Sequence, residues 1–211
     1  WGLPVQNEPE AAQKWDSCIY AAEEERHFVR DFLGPALHGA GMEHIKLMIW
    51  DHNREFMHER ARMVLDDQQA AKYVLGIGGH WYSGDNFQYE QAVHDAYPDK
   101  KLVFTEGCQE GGPHLGSWEL GERYARSMIE DLNRWTVGWV DWNLLLDETG
   151  GPNHVGNLCS APIIADTRTQ KLHYQSSYFY IGHFSRFILP GARRVICSTS
   201  RDELEATAFL N

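Results

Sequence analysis

The sequence lacks any stretch of the roughly 18 uninterrupted apolar residues that a membrane-spanning helix needs, and no basic-then-apolar leader precedes Trp1. It has no HExxH pair, no GxxxxGK[ST] loop and no CxxC spacing, so zinc-protease, phosphate-loop, zinc-ribbon and dithiol readings lack support. The four cysteines, Cys18, Cys108, Cys159 and Cys197, lie far apart and read as buried thiols. Positive charge is scarce: 19 Lys and Arg stand against 30 Asp and Glu, for a formal charge of -11. Such a surface repels a phosphate backbone and an anionic membrane, which excludes nucleic acid as the main partner and favours a neutral substrate. No obligate protein partner is evident. Trp1 is not an initiator methionine, so the chain reads as beginning inside a longer protein, and its localisation is left open.

What is present has a globular composition. Apolar residues make up 43% and charged residues 23% of the 211 positions, enough to bury about 70% of the surface an unfolded chain exposes. Four short runs, IKLMIWD (45–51), YVLGIGGHWY (73–82), KLVFTEG (101–107) and VGWVDWNLLLD (137–147), are nearly continuous in apolar residues, as strands of a parallel sheet covered on both faces should be. WGLPV at the start reads as the tail of an earlier strand. Between these runs, residues 22–37, 58–72, 86–97 and 119–135 place apolar side chains three and four apart, which predicts helices. Strand and helix alternating at this rhythm imply right-handed βαβ units and a parallel sheet. Glu23-Glu24-Glu25 and Asp66-Asp67 read as solvated helix faces.

The pattern changes near residue 150. Gly, Pro, Asn and Thr become frequent over 150–174, one further helix is predicted over 175–187, and RRVICSTS and ATAFLN alternate as antiparallel strands do. The organisation expected is an α/β part over 1–150, a last loop and helix over 151–188, and the start of a β segment over 189–211.

In parallel α/β architectures the chemistry gathers at the C-terminal ends of strands. Here those ends carry Asn7 and Glu8, then Asp51, His52 and Asn53, then His80, Trp81 and Tyr82, then Glu106, while Asp141, Trp142 and Asn143 fall within the fifth run. Glu8 and Glu106 form a possible pair of carboxyls, the requirement for hydrolysing a sugar acetal: one protonates the leaving oxygen, the other attacks the anomeric carbon or activates water. Trp81, Tyr82, Trp142 and Trp50 could offer flat faces to a sugar ring, and Asn7, Asn143 and His80 hydrogen bonds to its hydroxyls. Plainer readings stand beside these: Glu8-Pro9-Glu10 also suits the acidic first turn of a helix, and tryptophan also fills cores. Glu106 is harder to set aside, because after an apolar run it would otherwise be a buried unpaired charge. The histidines show no close pair with a carboxylate partner at metal-ligand spacing.

QNEP (6–9), HWY (80–82), FTEG (104–107), GWVDWNLLLD (138–147), GGPN (150–153) and GHFSRFI (182–188), in this order, resemble the glucosylceramidase group of glycoside hydrolase family thirty. The resemblance implies a (β/α)8 TIM barrel, with only strands four to eight in the chain, followed by part of a β-sandwich-like side domain. It implies a retaining β-glycosidase acting on β-glucosides or glycolipids, glucosylceramide above all, with β-xylosidase, β-fucosidase or endo-β-1,6-glucanase activity as alternatives. Glu8 would then be the acid/base, with a pKa raised by its anionic neighbour, and Glu106 the nucleophile. Asn7, Trp142 and Asn157 would hold the sugar, with His80 and Tyr82 around the two carboxylates, and no metal or organic cofactor is called for. A competing reading from another class is a non-catalytic truncated or carbohydrate-binding fragment, because five strands cannot close an eight-stranded barrel and 1–211 alone is expected to be inactive.

Overall fold

The computed structural model describes every residue from Trp1 to Asn211. The chain divides into two compact units, Trp1–Glu106 with Arg134–Val140, and Gly107–Asn133 with Asp141–Asn211. The division interleaves the chain at 106, 133 and 140.

The first unit is built on five parallel strands, β1 (Gly2–Pro4), β2 (Lys46–Asn53), β3 (Val74–His80), β4 (Lys101–Glu106) and β5 (Thr136–Trp139), paired in sequence order. The central strands are buried along almost their whole length, which is why they read as unbroken apolar runs. Helix α1 (Ala22–Phe28) passes through a π-helical turn at Val29–Leu33 into α2 (Gly34–Gly39), and α3 (Met57–Leu65), α4 (Gln68–Ala71) and α5 (Gln88–Ala96) follow. On α3 the buried positions Met57, Arg60, Ala61, Val64 and Leu65 recur at three and four residues, the stripe that packs on a sheet. Met57, Ala61, Val64 and Leu65 join Leu47, Ile49, Ile77 and Leu102 from the strands and Val93 from α5 in one core. Each such aliphatic side chain contributes about 1.5–3 kcal/mol by leaving water.

The acidic run at 23–25 departs from the solvated face expected of it. Glu25 is fully buried, its Oε2 accepts from Arg60 Nε at 2.7 Å, and its Oε1 accepts the Trp50 amide at 3.1 Å. Two glycines of β3 serve close strand approach: a Cβ on Gly76 would stand 1.9 Å from the Lys101 carbonyl oxygen, and one on Gly78 would stand 2.8 Å from Thr105 Oγ1 and 3.1 Å from Asp51 Cα.

The second unit contains α6 (Trp118–Asn133), a sheet of β6 (Leu145–Asp147), β7 (Ile163–Asp166) and β8 (Lys171–Tyr174), helix α7 (Ser176–Phe187), and an antiparallel pair, β9 (Arg193–Val195) and β10 (Ala208–Leu210). The two helices close on each other at Gly121, whose amide donates to Ser176 Oγ at 3.0 Å. Two expectations change here. The run 137–147 is not one buried strand: its first residues belong to β5 and its last to β6, with Val140, Trp142, Leu144 and Leu145 exposed. Of the four cysteines, Cys108 and Cys159 are buried, whereas Cys18 and Cys197 are exposed. No helix is long and apolar enough to cross a membrane.

Candidate active site

The C-terminal ends of β1 to β4 bring six of the strand-end residues, Glu8, Asp51, Asn53, His80, Tyr82 and Glu106, together within the first unit. Beyond β1 the chain turns, and Glu8 takes a left-handed backbone conformation (φ 45°) while its amide donates to the Asp51 carbonyl at 2.9 Å. It is no helix first turn. On β2 the pairing with β3 slips between Ile49 and His52, and the two residues in the slip, Trp50 and Asp51, have φ of 73° and 49°. Non-glycine residues in this region store strain, and here a bulge redirects Asp51 toward the neighbouring strand. The Trp50 amide at the bulge is the one that Glu25 captures, so the buried Arg60–Glu25 pair props the bulge from behind.

His80, at the end of β3, has no exposed surface and connects two carboxylates: Nδ1 lies 3.3 Å from Glu8 Oε1, and Nε2 lies 3.2 Å from Asp51 Oδ1. Gln13 Nε2 donates to the other Glu8 oxygen at 2.7 Å. Across the site, the Tyr82 hydroxyl donates to Glu106 Oε1 at 3.1 Å, and the Tyr82 amide is held by Asn53 Oδ1 at 2.9 Å. One oxygen of Glu8, one oxygen of Glu106 and a ring nitrogen of His80 all lie within 4.8 Å of one another. That spacing would also suit a cation, but Nδ1 and Nε2 of His80 are both engaged with carboxylates, so the ring turns no lone pair toward an ion.

Charge is distributed unevenly over this cluster. Burial works against a charged His80, yet its hydrogen bonds to Asp51 and Glu8 outweigh burial and push its pKa up to about 9. An imidazolium with a pKa above its ordinary 6.5 stabilises the fold fully below that value, and the contribution fades as pH rises through about 9. Burial alone would raise the pKa of Glu8, but the hydrogen bonds from His80 and Gln13 bring it below the ordinary carboxyl range. Glu106 is displaced the other way: burial and the negative charge of Glu8 raise its pKa against the opposing influence of His80 and Tyr82. The order expected from two lone carboxylates is therefore inverted, because His80 sits on the Glu8 side and carries the proton. Desolvation lowers the pKa of His52, buried nearby, against the opposing charge of Glu8.

The remaining sequence candidates divide. Trp81 is 3% exposed and packs edge-on against Phe104 and Trp139 at 5.6 and 5.8 Å, so it is a core residue with no face open to a sugar. Trp50 is likewise buried, beneath the Arg60 guanidinium. Asn7 is exposed beside Glu8. Trp142, Asn143 and Asn157 belong to the second unit, where Trp142 is 49% exposed and its amide donates to the Gly107 carbonyl at 3.0 Å, while the Asn157 amide donates to Asn153 Oδ1 at 3.0 Å. Asp51 stands at a strand end with nothing in the sequence to mark its role, and Gln13 carries no signal of its own.

Residues 1–188 match the glycosyl hydrolase family 30 TIM-barrel domain. The chain belongs to that family. It is 35% identical to the lysosomal acid glucosylceramidase of Mus musculus over 224 residues, all of this chain and 43% of that protein. Among solved structures, SrfJ from Salmonella typhimurium is 41% identical with a TM-score of 0.95, covering all of this chain and 47% of its own. An endo-β1,6-glucanase is 29% identical with a TM-score of 0.88, covering all of this chain and 48% of its own. The chain thus spans less than half the length of each of these three relatives. Family 30 membership makes the five parallel strands part of a TIM barrel, and a glycoside hydrolase domain is what the two-carboxylate cluster sits in.

Proposed function

We propose that the protein containing this chain is a retaining β-glucosidase with glucosylceramide as its substrate, using Glu106 as nucleophile and Glu8 as acid/base. The observation that carries the reading is the approach of the Glu8 and Glu106 carboxylate oxygens to within 4.8 Å. Direct attack on the anomeric carbon needs carboxyls about 5–5.5 Å apart, whereas an inverting enzyme keeps them about 6.5–9.5 Å apart to admit a water. Glu106, ionised above its raised pKa, attacks the anomeric carbon with Tyr82 steadying one of its oxygens. The proton for the departing alcohol reaches Glu8 from His80 Nδ1, so the resting cluster already holds the proton that the first step consumes. Once Glu106 is esterified its charge is gone, and Glu8 accepts a proton from the entering water. The mouse glucosylceramidase supports the substrate; the endo-β1,6-glucanase makes a glucan the competing one, and a panel of both decides between them.

Incubating the full-length protein with a 2-deoxy-2-fluoro-β-glucoside and mapping its peptides by mass should place the sugar on Glu106. Label on any other carboxylate removes the assignment.

The shared proton also sets a pH dependence. Activity should fall on the acid side as Glu106 becomes protonated, and on the alkaline side as the Glu8–His80 pair loses its proton, near pH 9. In His80→Gln only the Glu8 carboxyl can hold that proton, so the alkaline limb of kcat/KM should move down by about 2 units or more. A limb that stays in place would take His80 out of the proton path.

A further inference from the structure

Two thiols meet in the interior of the second unit. Cys108 and Cys159 are each 3% exposed, and their Sγ atoms lie 3.3 Å apart although 51 positions separate them in the chain. The backbone keeps them together without help from sulfur. Glu110 and Cys159 form an antiparallel bridge, the amides of Gly111 and Gly112 both donate to the Leu158 carbonyl at 3.0 Å, and the Ser160 amide donates to the Gln109 carbonyl at 2.7 Å. On the far side the Cys159 amide donates to the Gly150 carbonyl at 2.9 Å. A sulfur–sulfur bond is about 2.05 Å long, so the two Sγ atoms, 3.3 Å apart, have little more than about 1 Å to close.

We propose that Cys108 and Cys159 are a disulfide-forming pair, oxidised by a low-molecular-weight disulfide. One cysteine, as thiolate, attacks a sulfur of that reagent and releases its first thiol. The second thiolate then attacks the mixed disulfide and releases the other, so two protein thiols are oxidised while one reagent disulfide is reduced to two thiols. Because both sulfurs are buried, the reagent gains access through local opening of the 107–113 or 156–160 segment. The bond closes a loop containing α6, Trp142, Asn143 and Asn157, which restricts the unfolded chain. None of this depends on the glycosidase reading.

The test needs no activity. The native full-length protein is incubated with oxidised glutathione, the remaining thiols are blocked with iodoacetamide, and the unreduced digest is sequenced by mass spectrometry. The expected product is one linked pair of peptides containing Cys108 and Cys159, lighter than the two separate peptides by two hydrogens and released by dithiothreitol. Carbamidomethyl on both residues, or glutathione retained on either, overturns the proposal. With Cys159→Val the same treatment should leave Cys108 outside any intramolecular link. If Cys108 then couples to Cys18 or Cys197, proximity does not govern the pairing and the proposal falls.

Discussion

Glu106→Ala lowers kcat on an aryl β-glucoside by about 10^4-fold or more, with the protein still folded by circular dichroism. The size of the loss follows from the role proposed for it: the variant removes the carboxylate that stands opposite Glu8, and what remains beside it is the Tyr82 hydroxyl, which held Glu106 Oε1 at 3.1 Å. Truncation also opens room where the carboxylate stood. Added azide should enter there and attack the anomeric carbon from the vacated face, giving an α-glucosyl azide, the inverted product. The measurement is the rate with and without azide together with the configuration of the product. A loss below tenfold, or a rescued product of retained configuration, would assign the nucleophile elsewhere.

Glu8→Ala has the second largest effect, about 10^2–10^4-fold on substrates with poor leaving groups and far less on activated phenols, whose departure needs no proton. Here azide should act on the glycosyl-enzyme from the opposite face and yield the β-glucosyl azide, so the two variants are told apart by stereochemistry as well as by rate. Removal of Glu8 also leaves the His80 imidazolium with Asp51 as its remaining close carboxylate partner, since Nδ1 loses the contact at 3.3 Å. The variant should therefore retain its fold but lose the alkaline limb attributed to the shared proton. Equal losses on both classes of substrate, without rescue, would point to another residue as the acid/base.

What residue order alone determined about this protein is the alternation of strand and helix, and with it the placing of Glu8, His80, Tyr82 and Glu106 at successive strand ends. Buried parallel strands are apolar on both faces, so each announces itself locally and its polar end residue stands out against the run. The same logic misled where a run was apolar without being buried: over 137–147 composition is that of a strand, but the chain leaves β5 at Trp139 and exposes Val140, Trp142 and Leu144 before β6.

Tertiary structure decided everything that depends on residues far apart in the chain. Three helix-face glutamates look alike at 23–25, yet only Glu25 meets Arg60 and the Trp50 amide, because helix phase and the docking of α3 turn that one inward. The slip at Trp50 and Asp51 has no compositional mark, since a bulge is one extra residue in the pairing of two strands, and it is this slip that carries Asp51 to His80. The protonation order of Glu8 and Glu106 was likewise beyond the sequence: burial, neighbouring charges and hydrogen-bond donors together set a carboxyl's pKa, and the donors His80 and Gln13 reach Glu8 from 72 and 5 positions away. Cys108 and Cys159 read as separate thiols for the same reason, until backbone pairing across 51 positions brought their sulfurs together.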